Sequence, residues 1–586
     1  MTLKLAAAMV VAGLIFCVDA MAAELFPRGV YWPQERVEWL AARAGQDVWT
    51  YTDRLLAELH DRQHCNFIWV VNIGTDDLKR LAAAGAAHGV QVAGTVEPVL
   101  WWRQHRTSEF AVKCARETAD RLSRTDGLYA YVLIDEPRKW ELSYLDEVRR
   151  ELGLLDSTRP SLTVTMTIDT LAAIQGTGFP LITTDIYPFF SDGNPNGPNP
   201  APASREYYRE TAGFFAQQCA EVGKTFWVMP GAFAEIWGDW YYDKDMNVVV
   251  QPGAFVNWRM PTAGETRWQV WEGLASGAKG VIYFVLFPPG NDRTAASAPG
   301  PPVGDDSLAK IAKTTPTGEP AALLNIDSTP TAQMTAMREA FADVERLAPV
   351  LQGLSRCDFP VVFAGEPFRC DTFRDAKGNI YAIVVNDNTD QRVTGDITVL
   401  PGIERVRDLR VGKELPLTAE RKDALQRAAL NLEPGGGTLL ELVTDPARRP
   451  LATAVEDFAV PVVSGEVSGA RVIFAPLNYR IGWSHDLVQT DDGKPGVLTC
   501  EVSTLTGDPK AHRPSGPIYI VYRGRRSGSG SVELGFSADG ESFTTASTNQ
   551  FDAPIALPPQ AQYIRFTIRG GAALSWFCAI ATEAGG

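Results

Sequence analysis

The sequence has no excess of positive charge and lacks the local patterns of a metal site. Its formal net charge is −15 over 586 residues, which argues against nucleic acid or an anionic membrane surface as a partner, because both attract basic patches. The six histidines are scattered without HExxH spacing, and no CxxC or Cys/His cluster occurs. We therefore expect no catalytic metal and no cofactor.

Beyond its N-terminus, the sequence also lacks any apolar run of the roughly 20 residues that a membrane-spanning helix needs. The N-terminus has one lysine, then an apolar run from Leu5 to Val18, then a small-residue pattern ending at Ala22. These three regions in this order are typical of a secretory signal peptide. We expect residues 1–22 to be removed, which leaves a secreted or periplasmic protein without a membrane span.

Seven cysteines follow the predicted signal peptide, and export permits disulfide formation. Two pairs are plausible disulfides because each falls inside one β-rich segment: Cys357 with Cys370, and Cys500 with Cys578. Spacing alone cannot establish connectivity. Cys65 and Cys219 stand in apolar contexts, which indicates buried core residues rather than reactive thiols.

The first half of the chain alternates short β-type runs with amphipathic helical segments, the pattern of repeated βα units. Eight such units in about 260 residues are typical of a (β/α)₈ TIM barrel. A doubly wound open sheet is the alternative, but no strand is followed by a glycine-rich phosphate loop. The predicted strands lie at 29–32, 65–72, 90–97, 129–137, 161–168, 181–189, 225–233 and 280–288.

After the eighth strand comes a segment rich in Pro, Gly and Ser, then a predicted helix at about 330–347 that closes the barrel. From Arg356 onward, short alternating strands between turn residues indicate β-sandwich architecture. We divide the chain into a signal peptide (1–22), a barrel (23–352), a β-sandwich domain (353–450) and a C-terminal β-rich domain (451–586) that is a candidate carbohydrate-binding module.

The fourth predicted strand, YAYVLIDEP at 129–137, ends in two adjacent carboxylates and a proline. Catalytic groups of a TIM barrel lie at the C-terminal ends of its strands, so Asp135 and Glu136 are the first candidates. Pro137 disfavours helical geometry for the residue before it, which predicts an extended Glu136. The structural alternative is an acidic cap for the helix that follows.

A barrel brings several other strand ends to the same rim. Glu136 is the candidate general acid, because a carboxyl flanked by Pro137 and an apolar wall can be partly desolvated with a raised pKa. Asp185 and Glu235 are alternative partner carboxylates for hydrolysis of a glycosidic bond. Candidate substrate contacts are Trp32, Asn72, Glu97 and Tyr187 at the rim, with Trp101, Trp102 and Trp237 in loops, where stacking on sugar rings competes with simple loop packing.

On these residues the chain resembles clan-A glycoside hydrolases, barrels with an acid/base at the end of strand four and a glutamate nucleophile at the end of strand seven. Glu136 matches the first position. The clan usually has Asn where this sequence has Asp135, and strand seven here ends PGAF, with no glutamate before Glu235. The segment 259–284 also resembles the last helix and strand of bacterial exported barrels related to glycoside hydrolases.

The adjacent Asp135 and Glu136 also resemble the pair of hexosaminidase-type barrels. That resemblance implies that Glu136 is the acid and that Asp135 orients a 2-acetamido group of the substrate as an internal nucleophile. Two classes of function remain open. The first is a secreted glycoside hydrolase acting on an oligo- or polysaccharide, with retention favoured over inversion; the second is a non-catalytic carbohydrate-binding protein on the same barrel.

Overall fold

The computed structural model contains two compact units, one up to Gln352 and one from Gly353 onward. It describes residues 25–96, 107–191, 194, 201–238, 240–242, 248–250, 254–288, 321–325, 327–357, 360–418, 425–444, 450–457, 466–468, 470–476, 483–489, 494–502, 517–525 and 529–582. The predicted signal peptide and most of the Pro/Gly/Ser-rich segment after the eighth strand lie outside these residues.

The first unit is a closed barrel of eight parallel strands, which confirms the predicted fold class. Each predicted strand is present, although the eighth ends at Tyr283 rather than at residue 288. The barrel strands are β1 (Arg28–Trp32), β2 (Phe67–Val70), β3 (Gln91–Thr95), β4 (Leu128–Asp135), β5 (Ser161–Met166), β6 (Leu181–Ile186), β7 (Thr225–Pro230) and β12 (Val281–Tyr283). They are almost entirely buried, because a parallel barrel strand is covered on both faces and therefore reads as a continuous apolar run.

Helices connect these strands and cover the barrel. They agree with the predicted alternation of strands and helices, and α9 confirms the predicted closing helix. The helices are α1 (Gln34–Arg43), α2 (Val48–Asp61), α3 (Thr75–Ala87), α4 (Ser108–Leu122), α5 (Leu142–Leu155), α6 (Thr167–Gly176), α7 (Ala201–Glu221), α8 (Ala263–Ser276) and α9 (Ala332–Leu351). None of the described helices is long and apolar enough to cross a membrane.

Four short strands between β7 and α8 form two small antiparallel sheets that the sequence pattern did not reveal. They are β8 (Glu235–Trp237), β9 (Trp240–Tyr242), β10 (Val248–Val250) and β11 (Phe255–Trp258). Strand β8 pairs with β11, and β9 pairs with β10. Because this insertion follows β7, it stands at the C-terminal end of the barrel, where the candidate carboxylates lie.

The second unit consists of antiparallel sheets, as expected for β-sandwich-like domains. The sheet orders are β13-β15-β16-β21-β18-β19, β14-β17-β20, β24-β25-β32-β27-β30 with β22 added on β32, and β23-β26-β31-β28-β29. The strands are β13 (Ser355–Arg356), β14 (Val362–Ala364), β15 (Phe368–Arg374), β16 (Ile380–Asn386), β17 (Val393–Val399), β18 (Ile403–Asp408), β19 (Lys413–Leu415), β20 (Gln426–Leu432), β21 (Gly437–Thr444), β22 (Pro450–Asp457), β23 (Glu466–Ser468), β24 (Ala470–Pro476), β25 (Trp483–Gln489), β26 (Gly496–Glu501), β27 (Ile518–Arg525), β28 (Ser531–Ser537), β29 (Thr544–Thr548), β30 (Ile555–Ala556), β31 (Tyr563–Arg569) and β32 (Ala573–Thr582).

Strand β32 buries its two faces in two different hydrophobic cores of this unit. Phe577 and Ala579 pack in one core, together with Cys500. Cys578, which lies between them, packs in the other core beside residues of strands β14 to β21. This division follows from the alternation of side chains along a strand.

The two predicted disulfides are absent from the described part of the chain. Cys500 and Cys578 face different cores, so they cannot meet without moving a strand. The amide of Cys357 donates to Thr372, two residues along β15 from Cys370, and the Cys370 thiol instead contacts the carbonyl of Val362. The prediction failed because membership of one β-rich segment does not determine which face a cysteine occupies.

Candidate active site

The end of β4 places Glu136 in the mouth of the barrel. Its amide donates to the carbonyl of Val164 on β5 at 3.1 Å, and the pairing of β4 with β5 shifts register between Val132 and Asp135. The backbone of Glu136 is left-handed, with φ of 47°, whereas Pro137 had predicted an extended residue. This conformation costs a non-glycine residue of the order of 1 kcal/mol or more, and it leaves the Glu136 side chain exposed.

Helix capping does not explain the two carboxylates. Helix α5 begins at Leu142, and the turn before it is held by other acids. The Glu141 carboxylate accepts from the Arg138 amide at 2.7 Å, and Asp169 accepts from the Lys139 amide at 3.1 Å. Asp135 and Glu136 are therefore free of the structural role that the sequence left open.

Asp135 lies beneath Glu136 at the last position of β4. The Tyr31 hydroxyl donates to its Oδ2 atom at 3.3 Å, while Oδ1 has no hydrogen-bond partner among the described residues. Burial and the neighbouring charge of Glu136 raise the pKa of Asp135 to about 7, against the opposing effect of the Tyr31 hydrogen bond. A carboxyl group with a near-neutral pKa is typical of functional sites.

Asp185, near the end of β6, is in contact with Glu136. Its side chain is buried, with 8% exposure, and its Oδ1 has no partner among the described residues. Burial first, then the charge of Glu136 and a hydrogen bond with the Glu136 side chain, raise the pKa of Asp185 well above its ordinary value. Two neighbouring carboxyl groups resist ionising together, so Asp185 holds its proton more tightly than an ordinary aspartic acid does.

Glu235 approaches the same carboxyl groups from the β8–β11 sheet, where it pairs with Trp258. The indole N–H of Trp237 donates to its Oε2 at 3.0 Å. Burial, together with the charge of Glu136, raises the pKa of Glu235, and the bond from Trp237 opposes that rise. The fold thus brings together four predicted carboxyl residues that the sequence separates by up to 100 positions.

Aromatic side chains pack beside these carboxyl groups in what we call the aromatic floor, formed by Tyr31, Tyr187, Phe233, Trp258 and Phe284. The ring centroids of Tyr187 lie 5.0 Å from Phe233, 5.6 Å from Trp258 and 5.5 Å from Phe284. Those of Tyr31 and Phe284 lie 4.9 Å apart. Burial, followed by the charges of the nearby carboxylates, raises the pKa of Tyr187 well above its ordinary value, so its hydroxyl stays protonated.

The aromatic floor occupies the place where strand seven ends. A Cβ atom on Gly231 would stand 2.8 Å from the Phe233 ring and 3.0 Å from the Tyr187 ring. The Gly231 carbonyl also accepts a hydrogen bond from Gln269 at 2.9 Å. No carboxylate fits at this position unless the floor moves, and the first acid that follows β7 in the chain is Glu235 on β8.

The other predicted contacts are distributed unevenly. Trp32 is fully buried and its indole N–H donates to Gln34 at 2.9 Å, so it packs in the interior rather than in the mouth. Asn72 is exposed just beyond β2, with a left-handed φ of 54°. Trp237 is 41% exposed beside the carboxyl groups. Glu97, Trp101 and Trp102 lie outside the described residues.

Four aromatic residues of the floor were not among the candidate contacts named from the sequence. Tyr31 neighbours the predicted Trp32, and alternation along a strand sends only one of them inward. Phe233 and Phe284 follow strands and Trp258 is the last residue of one, and no sequence pattern distinguishes these three from ordinary core residues. Within the described ranges, no group of three or more His, Cys, Asp or Glu side chains could hold a metal ion.

Fold and site together define a (β/α)₈ barrel with a carboxyl cluster at its C-terminal mouth. No protein-family model matches the chain, and no curated protein sequence matches it. Its structural neighbours include a family 5 glycoside hydrolase from Bacteroides vulgatus (12% identity, TM-score 0.41, covering 68% of this chain and 86% of that one). Another is a family 27 β-L-arabinopyranosidase from Geobacillus stearothermophilus (10% identity, TM-score 0.39, covering 73% of this chain and 99% of that one). Identities and TM-scores this low carry no argument about what this chain does.

Proposed function

We propose that this protein is a glycoside hydrolase that cleaves an oligo- or polysaccharide by carboxylate general acid/base catalysis. The observation that carries the proposal is the contact between Glu136 and the buried Asp185, with Asp135 and Glu235 beside them. Glycosidic hydrolysis needs a proton donor for the leaving oxygen and a second carboxyl group for the oxocarbenium-like transition state. The carboxyl groups gathered at the mouth of the barrel can supply both.

Glu136 is the group that reaches substrate in this proposal, since it is exposed while Asp135 and Asp185 are largely covered. It gives a proton to the glycosidic oxygen as the bond to the anomeric carbon breaks. Glu235 bonds to that carbon as the glycosidic bond breaks, which forms a glycosyl-enzyme ester. Water then displaces Glu235 from the carbon, and the proton that the water loses returns to Glu136. Asp185 touches Glu136 and cannot stand across a sugar ring from it, so its role is to position Glu136 and hold a proton beside it.

Glu235 is then the partner carboxylate. It reaches the same cluster from a different strand end, and its carboxylate orientation is held by Trp237. We propose retention of configuration with Glu235 as nucleophile, which requires carboxyl groups about 5 to 5.5 Å apart, whereas inversion requires about 6.5 to 9.5 Å. Proton NMR of the first product anomer distinguishes the two outcomes directly.

Substrate assistance is a second candidate mechanism, and Asp135 favours it. One of its oxygens is held by Tyr31 and the other has no partner among the described residues, as expected of a group that orients a 2-acetamido substituent. In that case the enzyme should require N-acetylated sugars and be inhibited by a thiazoline mimic of the cyclised intermediate, and Asp135→Asn should be strongly impaired.

The non-catalytic alternative is favoured by the crowded end of strand seven, where Gly231 leaves no space for an acid. A panel of oligosaccharides separates the candidates, because a binder should raise the melting temperature by mass action without turnover. Absence of any hydrolysis, together with a specific thermal shift, would reject the enzyme. We also propose that the protein is exported, with residues 1–22 as its signal.

Four variants test the catalytic roles on whichever glycoside the wild type cleaves. Glu136→Gln and Glu235→Gln should each lose most activity. Asp185→Asn imitates the protonated carboxyl, so it should keep activity near neutral pH and change the alkaline side of the pH profile. Asp120→Asn, on the exposed surface of α4, is the matched control and should behave as wild type. Equal losses in Asp185→Asn and Glu235→Gln would contradict the division of roles.

A further inference from the structure

We propose that Trp140 and Ile168 form a binding surface for the sugar units on the leaving-group side of the scissile bond, so that the substrate extends beyond the reacting sugar. We call these two residues the leaving-group rim. The inference rests on the proposed function and deepens it, because it selects a chain of sugars over a small glycoside. Nothing in the sequence pattern singled out either residue.

Both side chains are large, apolar and exposed at the end of the barrel that carries the carboxyl groups. Trp140 is 56% exposed and Ile168 is 58% exposed. Trp140 stands four residues after Glu136, and Ile168 stands two residues after the end of β5, the strand next to β4. Single exposed apolar residues are ordinary, whereas two on hydrogen-bonded segments, at the barrel end that carries the carboxyl groups, are a candidate binding surface.

The two segments are tied to each other by hydrogen bonds. The Lys139 amide, next to Trp140, donates at 3.1 Å to Asp169, next to Ile168. The Arg138 amide donates to Glu141 at 2.7 Å, and both acceptor carboxylates are buried. The turn that presents Trp140 is thus held in place before any ligand arrives. Preorganisation of this kind lowers the entropy cost of binding.

A sugar chain fits this surface in both chemistry and position. The flat apolar face of a pyranose ring packs against an aromatic ring, and its hydroxyls stay in water at the rim. If Glu136 protonates the leaving oxygen, the leaving group must lie on the Glu136 side of the mouth. Trp140 belongs to the same loop, four residues after Glu136. In this proposal Trp237, beside Glu235, contacts the sugars on the opposite side of the scissile bond from the leaving group. A surface that binds a partner protein need not lie next to the candidate general acid Glu136, so its position favours a sugar ligand.

The test compares two leaving groups on the same enzyme. Hexasaccharides of β-1,4-glucan, β-1,4-xylan, β-1,4-mannan, β-1,4-galactan and chitin are used as long substrates, and the glycosyl fluorides of the same sugars as short ones. A fluoride leaving group is one atom and cannot reach Trp140. Trp140→Ala should lower kcat/KM for the hexasaccharide roughly tenfold, the loss typical of a truncated aromatic anchor, and leave the glycosyl fluoride unchanged.

Two further variants keep this outcome interpretable. Trp140→Tyr should recover most activity on the hexasaccharide, and Leu154→Ala, which removes a side chain 77% exposed on α5, should match wild type on both substrates. An unchanged kcat/KM of Trp140→Ala on the hexasaccharide, or an equal loss of kcat/KM on the fluoride, would contradict a binding role of the leaving-group rim. Neither result would contradict the proposed function. Failure of the wild type to cleave any hexasaccharide or fluoride would overturn both.

Discussion

The buried position of Asp135 makes a prediction about stability that needs no knowledge of the substrate. Its pKa rises from an ordinary 3.8 to about 7 in the folded protein, so between these pH values the folded state binds more protons than the unfolded state. Stability must therefore fall as pH rises through this window, and stay lower above it. Asp135→Asn removes the titration, and its amide oxygen can still accept the Tyr31 hydrogen bond.

The size of the effect follows from the same pKa. One pKa unit corresponds to about 1.4 kcal/mol, which sets a ceiling of ~4 kcal/mol for the loss on ionisation. Asp135 keeps partial solvent contact, and screening reduces the expected difference between variant and wild type to roughly 2 kcal/mol at pH 8. At pH 4 the carboxyl group is largely protonated in the fold, and the difference should nearly vanish.

Urea unfolding of the two proteins at half-unit steps from pH 4 to pH 8 measures this difference. Other groups titrate in both proteins. Subtracting the free energy of unfolding of the variant from that of wild type therefore leaves the contribution of Asp135 and of its coupling to Glu136 and Asp185. Asp120→Asn, on the exposed surface of α4, serves as the control for the loss of one carboxylate. A stability difference between Asp135→Asn and wild type that stays constant across the range, or that shifts in favour of wild type as pH rises, would contradict a raised pKa of Asp135.

Three other predictions concern the site and the leader. Glu136→Gln should fold as wild type, because its carboxylate is exposed, and should lose about 10²- to 10⁴-fold in turnover of an unactivated glycoside, as expected for a lost general acid; near wild-type turnover would remove Glu136 from the mechanism. Gly231→Ala should destabilise the barrel by about 1 to 3 kcal/mol in urea unfolding, because its methyl group overpacks the aromatic floor, and an unchanged midpoint would show that the rings yield freely. N-terminal sequencing of exported protein should begin after residue 22, and an intact Met1 would contradict the predicted signal peptide.

The barrel could be predicted because burial on both faces leaves a local signature. Each β-strand appears as a short apolar run whatever its partners, and the eight runs match the eight observed strands. The carboxyl cluster followed from the same fact, since the C-terminal ends of parallel strands meet at one mouth. Asp135, Glu136 and Asp185 were therefore identified from strand ends alone.

The sequence by itself determined which elements form and which strand ends carry acids, because these depend on local runs of side chains. Tertiary structure decided everything that depends on direction and contact. It turned Tyr31 rather than Trp32 toward Asp135, set Asp185 against Glu136, and sent Cys500 and Cys578 to different cores. It also assembled the aromatic floor from segments far apart in the chain. A one-residue change of strand phase reverses a side chain's direction, and only the packed fold selects the phase.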